Sequence, residues 1–158
     1  MPTLGDCFPE SSRRIFLEGQ FGPGSILYLL CDFTCPPKVK YLAVVSITPL
    51  LVFVVNSSVN QYIKDRPHLE ACQVTLASAD YAFLRQDSFL DCSKVIDGLR
   101  VEDAIDQLMA DTSRIPGALD LATVQKVVSV VRAAGSISTR HRQAIEDALG
   151  SCYDLSSS

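Results

Sequence analysis

The chain has 158 residues, 47% of them hydrophobic, with 14 basic against 18 acidic side chains and a formal net charge of −4. That length fits one domain with a sizeable core, and the acidic balance argues against a protein that coats nucleic acid non-specifically while leaving room for one local basic groove. No apolar run reaches the span of a membrane helix, because Lys38, Lys40 and Asn56 interrupt the most hydrophobic region, so no membrane partner is expected.

The N-terminal residues include Asp6, Glu10, Arg13 and Arg14 in place of a basic start followed by an apolar stretch, so a cytoplasmic location is expected. Ile15-Phe16-Leu17 and Phe21 read as an extended segment, closed by the stop Gly22-Pro23-Gly24. Three dense apolar runs follow: Ile26 to Leu30, Tyr41 to Ile47 and Leu50 to Val55. β-Branched and aromatic residues at this density, bounded by Gly, Pro, Asn and Ser, predict adjacent strands. Cys35-Pro36-Pro37 forces a loop between the first two, since proline cannot donate to a ladder. Thr48-Pro49 is a tight turn, which predicts an antiparallel hairpin for the second and third.

Residues 59–70 read as a polar connection with one helical turn. Cys72 to Leu76 alternates with period two and reads as a strand. Ser88 to Cys92 is another, followed by Val95-Ile96. The pattern then changes to helical spacing. Val101, Ala104, Ile105, Leu108 and Met109 predict a helix over 101–110. Leu121, Val124, Val127, Val128 and Val131 predict a second, ending near Gly135, with the valine stripe either core or interface. Ser138 or Thr139 caps a third, carrying Ala144, Ile145, Ala148 and Leu149 and stopped at Gly150, and the tail from Tyr153 frays. The fold class is α+β: a small antiparallel β-barrel over residues 1–98, then a helical segment over 99–152 packed on or beside it.

The six cysteines, Cys7, Cys31, Cys35, Cys72, Cys92 and Cys152, form no paired C-x₂-C knuckle. They read as reduced, packed thiols, and no metal or cofactor is expected.

The segment from Gly24-Ser25-Ile26 to Asp32-Phe33, then a loop, then Lys40 to Ser46, resembles the opening of the MazF/PemK toxins. Val54-Val55-Asn56-Ser57 is similar to the family strand that ends in a catalytic Thr or Ser, and Ser88 to Ile96 to a later family strand. The resemblance covers roughly residues 24–110. It implies an SH3-like barrel, a homodimer, an antitoxin or other protein partner, and metal-independent cleavage of single-stranded RNA. In that chemistry the ribose 2′-hydroxyl attacks phosphorus, and a cation and a hydroxyl stabilise the developing charge. Carried over, Lys40 is the cation and Ser57 the hydroxyl, with Lys38, Asn56, Ser58 and Asp32 as substrate contacts. Lysine stands where the family has arginine, a point charge in place of a planar fork. The alternative is a barrel that kept the fold, lost the activity and serves as a protein–protein interaction module.

Each candidate has a plainer role. Lysines solvate strand edges, and Ser57, Ser58 and Asp32 are common turn formers. Asp87 and Asp91, four residues apart, could share a strand face. His68 lies in a loop, and Arg140-His141-Arg142 occupies a first helical turn with a solvated face.

Overall fold

The computed structural model describes residues 21–153. The elements in chain order are β1 (Ser25–Cys31), β2 (Lys38–Ile47), β3 (Leu50–Asn56), α1 (Gln61–Lys64), α2 (Pro67–Glu70), β4 (Gln73–Leu76), β5 (Ser88–Ile96), α3 (Val101–Ala110), a 3₁₀ turn (Thr112–Arg114), β6 (Gly117–Ala118), α4 (Leu121–Ala133) and α5 (Thr139–Cys152). The expected segment at Ile15-Phe16-Leu17 lies outside the described residues.

All six strands join one antiparallel sheet in the order β4-β5-β3-β2-β1-β6, curled as a half-barrel, with β4 and β6 as its edges. The expected hairpin is present, with Ile47 opposite Leu50. Alternation along the strands feeds two cores. Ile26, Ala43, Val45, Leu51 and Phe53 point to one side and pack with Val124, Val127, Val128 and Val131 of α4 and Ile145 and Leu149 of α5. Leu27, Leu29, Leu42, Val44 and Val52 point to the other and pack with Phe21 and with Ala104, Ile105 and Leu108 of α3. The valine stripe is therefore core. Burying each large aliphatic or aromatic side chain contributes roughly 1.5–3 kcal/mol.

Several boundaries differ from expectation. β2 starts at Lys38, so both lysines lie within the strand. Residues 88–96 form one strand, and the register shift against β3 near Val52–Val54 changes its alternation, so that Val95 joins Leu90 and Cys92 on the α4 side and Ile96 faces α3. The polar connection holds two short helices, the first capped by Asn60. β6 carries no apolar alternation, being two residues long, and pairs Gly117 and Ala118 with Ile26 and Ser25. α4 ends at Ala133 with Ala134 as its cap, and Arg142 donates to the carbonyls of Val131, Ala134 and Ile137, doing the work expected of Gly135. α5 is capped by Ser138 and runs through Gly150, held by the burial of Ile145 and Leu149.

Tyr153 does not fray. Its hydroxyl donates to Leu119 O at 2.7 Å, and its ring lies over Gly24. Gly24 has φ +92°, and a Cβ there would overlap the Tyr153 hydroxyl and sit 2.7 Å from a ring carbon. Gly24 also donates to Val44 O at 2.6 Å, while Leu119 donates to Gly24 O at 2.7 Å, so the C-terminal helix, β6 and β2 meet at one glycine.

Gly24→Ala should destabilise the fold by about 2–4 kcal/mol in urea unfolding, from left-handed strain plus overpacking. Combining it with Tyr153→Ala should cost less than the sum of the two single changes. Asp120 caps α4 by accepting from Thr123 N at 2.8 Å, and Thr123's hydrogen bonds hold its carboxyl below the ordinary value of 3.8. The cap therefore stabilises fully above that ordinary value and is lost as pH falls below it through the lowered one. Asp120→Ala should cost about 1 kcal/mol at neutral pH and less in acid, read from unfolding curves at both pH values.

Candidate functional site

A cleft of about 630 Å³ opens where the far ends of β1, β2 and β3 meet the loop between β4 and β5. Its floor is aromatic. Tyr28 and Tyr41 are direct cross-strand partners, stacked with ring centroids 4.5 Å apart, and Phe83 follows at 5.0 Å. Tyr28 is 39% exposed, so its outer ring face is open to a ligand.

The loop that supplies Phe83 is held at several points. The Tyr81 hydroxyl lies 2.9 Å from the Thr123 hydroxyl and accepts from Asp120 N, which ties the loop to the start of α4. Burial pushes the Tyr81 phenol above its ordinary pKa. Asp87 accepts from the amide and hydroxyl of Ser78, closing the loop on itself. Gln86 donates to Ser57 O at 3.1 Å, fastening the loop to the end of β3. The Ser88 hydroxyl donates to Gln86 O at 3.1 Å.

The charge of the cleft is one-sided. Lys38, Lys40 and Arg85 line it, and none of the described residues lining it is acidic. In a chain of net charge −4, this is the local basic groove that composition leaves room for.

Of the residues expected at the site, Lys38, Lys40 and Ser57 border the cleft. Lys40 Nζ donates to Asn56 Oδ1 at 3.1 Å, so the ammonium is already partnered. Strand alternation roots Lys38 and Lys40, with Leu42 and Val44, on the α3 side beside the buried Cys31, and sends Tyr41 and Val55 to the α4 side, while both lysines still line the cleft. Burial raises the Cys31 thiol above its ordinary pKa, and the Lys40 amide and ammonium pull it back. Ser57 lies one residue beyond β3, in a bend, and lines the same cleft as Lys40. Ser58 and Asp32 are exposed in turns and do not line the cleft.

The other candidates serve the fold. Asp91 accepts from Gln73 Nε2 at 2.9 Å and from the amide and hydroxyl of Ser93, separately from Asp87. The His68 carbonyl accepts from the Cys72 thiol, and the ring of His141, on α5, stands 3.7 Å from the carboxylate of Asp97, just past β5. Among the described residues, no group of three His, Cys, Asp or Glu could hold a metal ion. Among the described helices, none is long and apolar enough to cross a membrane. Sequence reasoning missed Tyr28, Tyr41, Phe83 and Arg85 as site residues. The one signal was tyrosine at two strand positions otherwise filled by aliphatic side chains.

Compared with known proteins, the chain matches no family profile and no curated protein. What the fold and site define is a class: an α+β protein built on a curled antiparallel sheet, with a basic, aromatic-floored cleft at one end.

Cysteine accessibility gives a direct check. Cys35 and Cys152 are exposed, while Cys31, Cys72 and Cys92 are buried, and burial raises the thiol pKa of all three. Under native conditions a thiol reagent followed by peptide mapping should label Cys35 and Cys152 and spare the buried three until denaturant is added. Rapid native labelling of Cys72 or Cys92 would contradict the core described above.

Proposed function

We propose that the cleft binds single-stranded RNA, with one base stacked on Tyr28 and phosphates held by Lys38 and Arg85. The observation that carries this reading is the stacked pair Tyr28 and Tyr41, with Phe83 tilted against it, bordered by cations and by no carboxylate among the described lining residues. Stacking on an aromatic ring contributes about 1–3 kcal/mol per base whatever the base, and lysine and arginine supply the salt-dependent remainder. A duplex buries the faces of its bases, so this arrangement favours single strands.

Cleavage is the second reading, that of an SH3-like, MazF/PemK-like endoribonuclease. Lys38, Lys40 and Ser57 on the cleft wall favour it. The 2′-hydroxyl would attack the adjacent phosphorus and expel the 5′-oxygen, leaving a cyclic phosphate. Lys40 would neutralise the non-bridging oxygens, and Ser57 would donate a hydrogen bond to them. The described lining residues are Tyr, Lys, Arg, Ser, Gln and apolar types, with no histidine or carboxylate to move a proton at neutral pH. That balance favours binding over fast turnover. An acidic segment of an antitoxin-type protein would suit the same cations and compete with RNA.

Fluorescence anisotropy with labelled single-stranded RNA in chelator tests the binding. Tyr28→Ala should weaken it about tenfold to a hundredfold. Lys38→Ala and Arg85→Ala should each lower the slope of log affinity against log salt by about 0.7. Affinity unchanged in all three variants would remove the proposal. Gel analysis of the same samples separates the two readings. Cleavage that falls about a hundredfold in Lys40→Ala and Ser57→Ala supports catalysis. RNA bound but uncut supports the non-catalytic barrel.

A further inference from the structure

Two buried thiols outside the cleft, Cys72 and Cys92, face each other across the sheet. β4 pairs with β5 through Gln73 opposite Asp91 and Val74 opposite Leu90. The ladder continues one step back, where the Cys92 amide donates to Cys72 O at 3.0 Å. Cys72 and Cys92 therefore occupy the next rung. Each stands two residues from Val74 or Leu90, so both share that face and the α4-side core. A hydrogen-bonded antiparallel rung sets its Cα atoms about 5.5 Å apart, inside the roughly 4.4–6.8 Å that a disulfide spans. Among the described cysteines no other two share a rung. Cys31 stands opposite Lys38 in the other core, and Cys35 and Cys152 are exposed.

The pair lies where the sheet is least secured. β4 is a four-residue edge strand that pairs with β5 alone among the described strands. Residues 73–91, between the two thiols, include Phe83 and Arg85 of the cleft wall. The Cys72 thiol donates to His68 O at 3.3 Å. A thiol is a weak donor, so its sulfur can turn from His68 to Cys92 at small cost. Burial raises the pKa of both thiols, the Asp91 carboxylate adds to this, and Cys72 adds a further push on Cys92. Each thiolate is thus disfavoured in the core, whereas a disulfide is uncharged and suits apolar surroundings.

We infer that Cys72 and Cys92 are a redox latch: a small-molecule disulfide oxidises them to a cross-strand disulfide that ties β4 to β5 at the base of the loop bearing Phe83 and Arg85. Cys72, at the start of the edge strand and less deeply buried than Cys92, reacts first. Its thiolate attacks one sulfur of the oxidant, forming a mixed disulfide and releasing one small thiol. The Cys92 thiolate then attacks Cys72 Sγ and expels the second. The protein gives up two protons and two electrons, and the S–S bond of the oxidant takes them as two thiols. Because both thiols are buried, exchange waits on local opening of β4 and is slow in the folded protein. The inference does not depend on RNA binding.

Refolding full-length protein from urea in a buffer of reduced and oxidised glutathione tests it, since every thiol is then within reach of the oxidant. After free thiols are trapped, non-reducing digestion and mass spectrometry should show Cys72 joined to Cys92. Closing that loop should raise the urea midpoint by about 1 M, and dithiothreitol should abolish the rise. Cys72→Ala, refolded in the same buffer and checked by circular dichroism, should show no such rise. The wild-type peptide map decides the question even where the variant does not fold. Folded protein that keeps both thiols free, or carries glutathione on them, overturns the inference. So does a link from either thiol to another cysteine, or a Cys72–Cys92 link that leaves the midpoint unchanged.

Discussion

The constraint on which the rest of the structure depends is that the central strands are apolar on both faces. In β1, Ile26 and Leu27 are both fully buried yet point to opposite cores, and β2 and β3 repeat the pattern. A sheet of this kind cannot rest one face on water. It needs a layer on each side, and the chain supplies α3 on one and α4 with α5 on the other. The route between the layers runs through β6, which is why so short a strand exists. It pairs with the start of β1, where Gly24, Leu119 and Tyr153 meet. Any side chain at Gly24 would push the last helix away from the sheet, so the closure of the α4–α5 layer rests on the absence of one.

The cleft is where the two-sided cover ends. Toward Cys31 and Lys38 the α4-side face loses its cover, so that Tyr28, Leu30 and Val39 are exposed while Cys31 on the α3 side stays buried. Tyr28 and Tyr41 occupy the boundary. Tyr41 packs against the α4-side core and Tyr28 stacks on it, 39% exposed, which suits an amphipathic ring. The site is therefore less an addition to the fold than the place where the alternation of the strands runs out of partners. The same alternation splits the polar strand ends. It roots Lys38, Lys40 and Asn56 on one side and the aromatic floor on the other, so neighbours in sequence do different work.

Local rules made much of the fold legible. The three strands, the β2–β3 hairpin, the helix at 101–110 and the Ser138 cap follow from spacing and capping chemistry that act within a few residues. The misreadings share a cause. Gly150 stops a helix by local propensity, but Ile145 and Leu149 are buried against the sheet, and that packing carries the helix past the glycine. Gly135 looked like a C-cap, while Arg142, seven residues on, satisfies the free carbonyls instead. The site shows the same limit. Lys38, Lys40 and Ser57 could be found because they punctuate strands. The stack of Tyr28, Tyr41 and Phe83 could not, because Phe83 reaches it from a loop positioned by a hydrogen bond between Tyr81 and Thr123, 42 residues apart.

Charge placement connects the two levels. An excess of acidic side chains weakens adsorption of polyanions to the surface as a whole, and this term acts over about a Debye length. Cations gathered at one cleft then act against a low background. In the RNA-binding reading proposed above, Lys38 and Arg85 line the same cleft as the aromatic floor, so a ligand that offers both a phosphate and an open base gains from both. A duplex offers the phosphates without an open base face, and a free nucleobase offers the ring without the charge. The acidic composition that argues against general nucleic-acid binding is thus the condition under which a small basic cleft becomes selective.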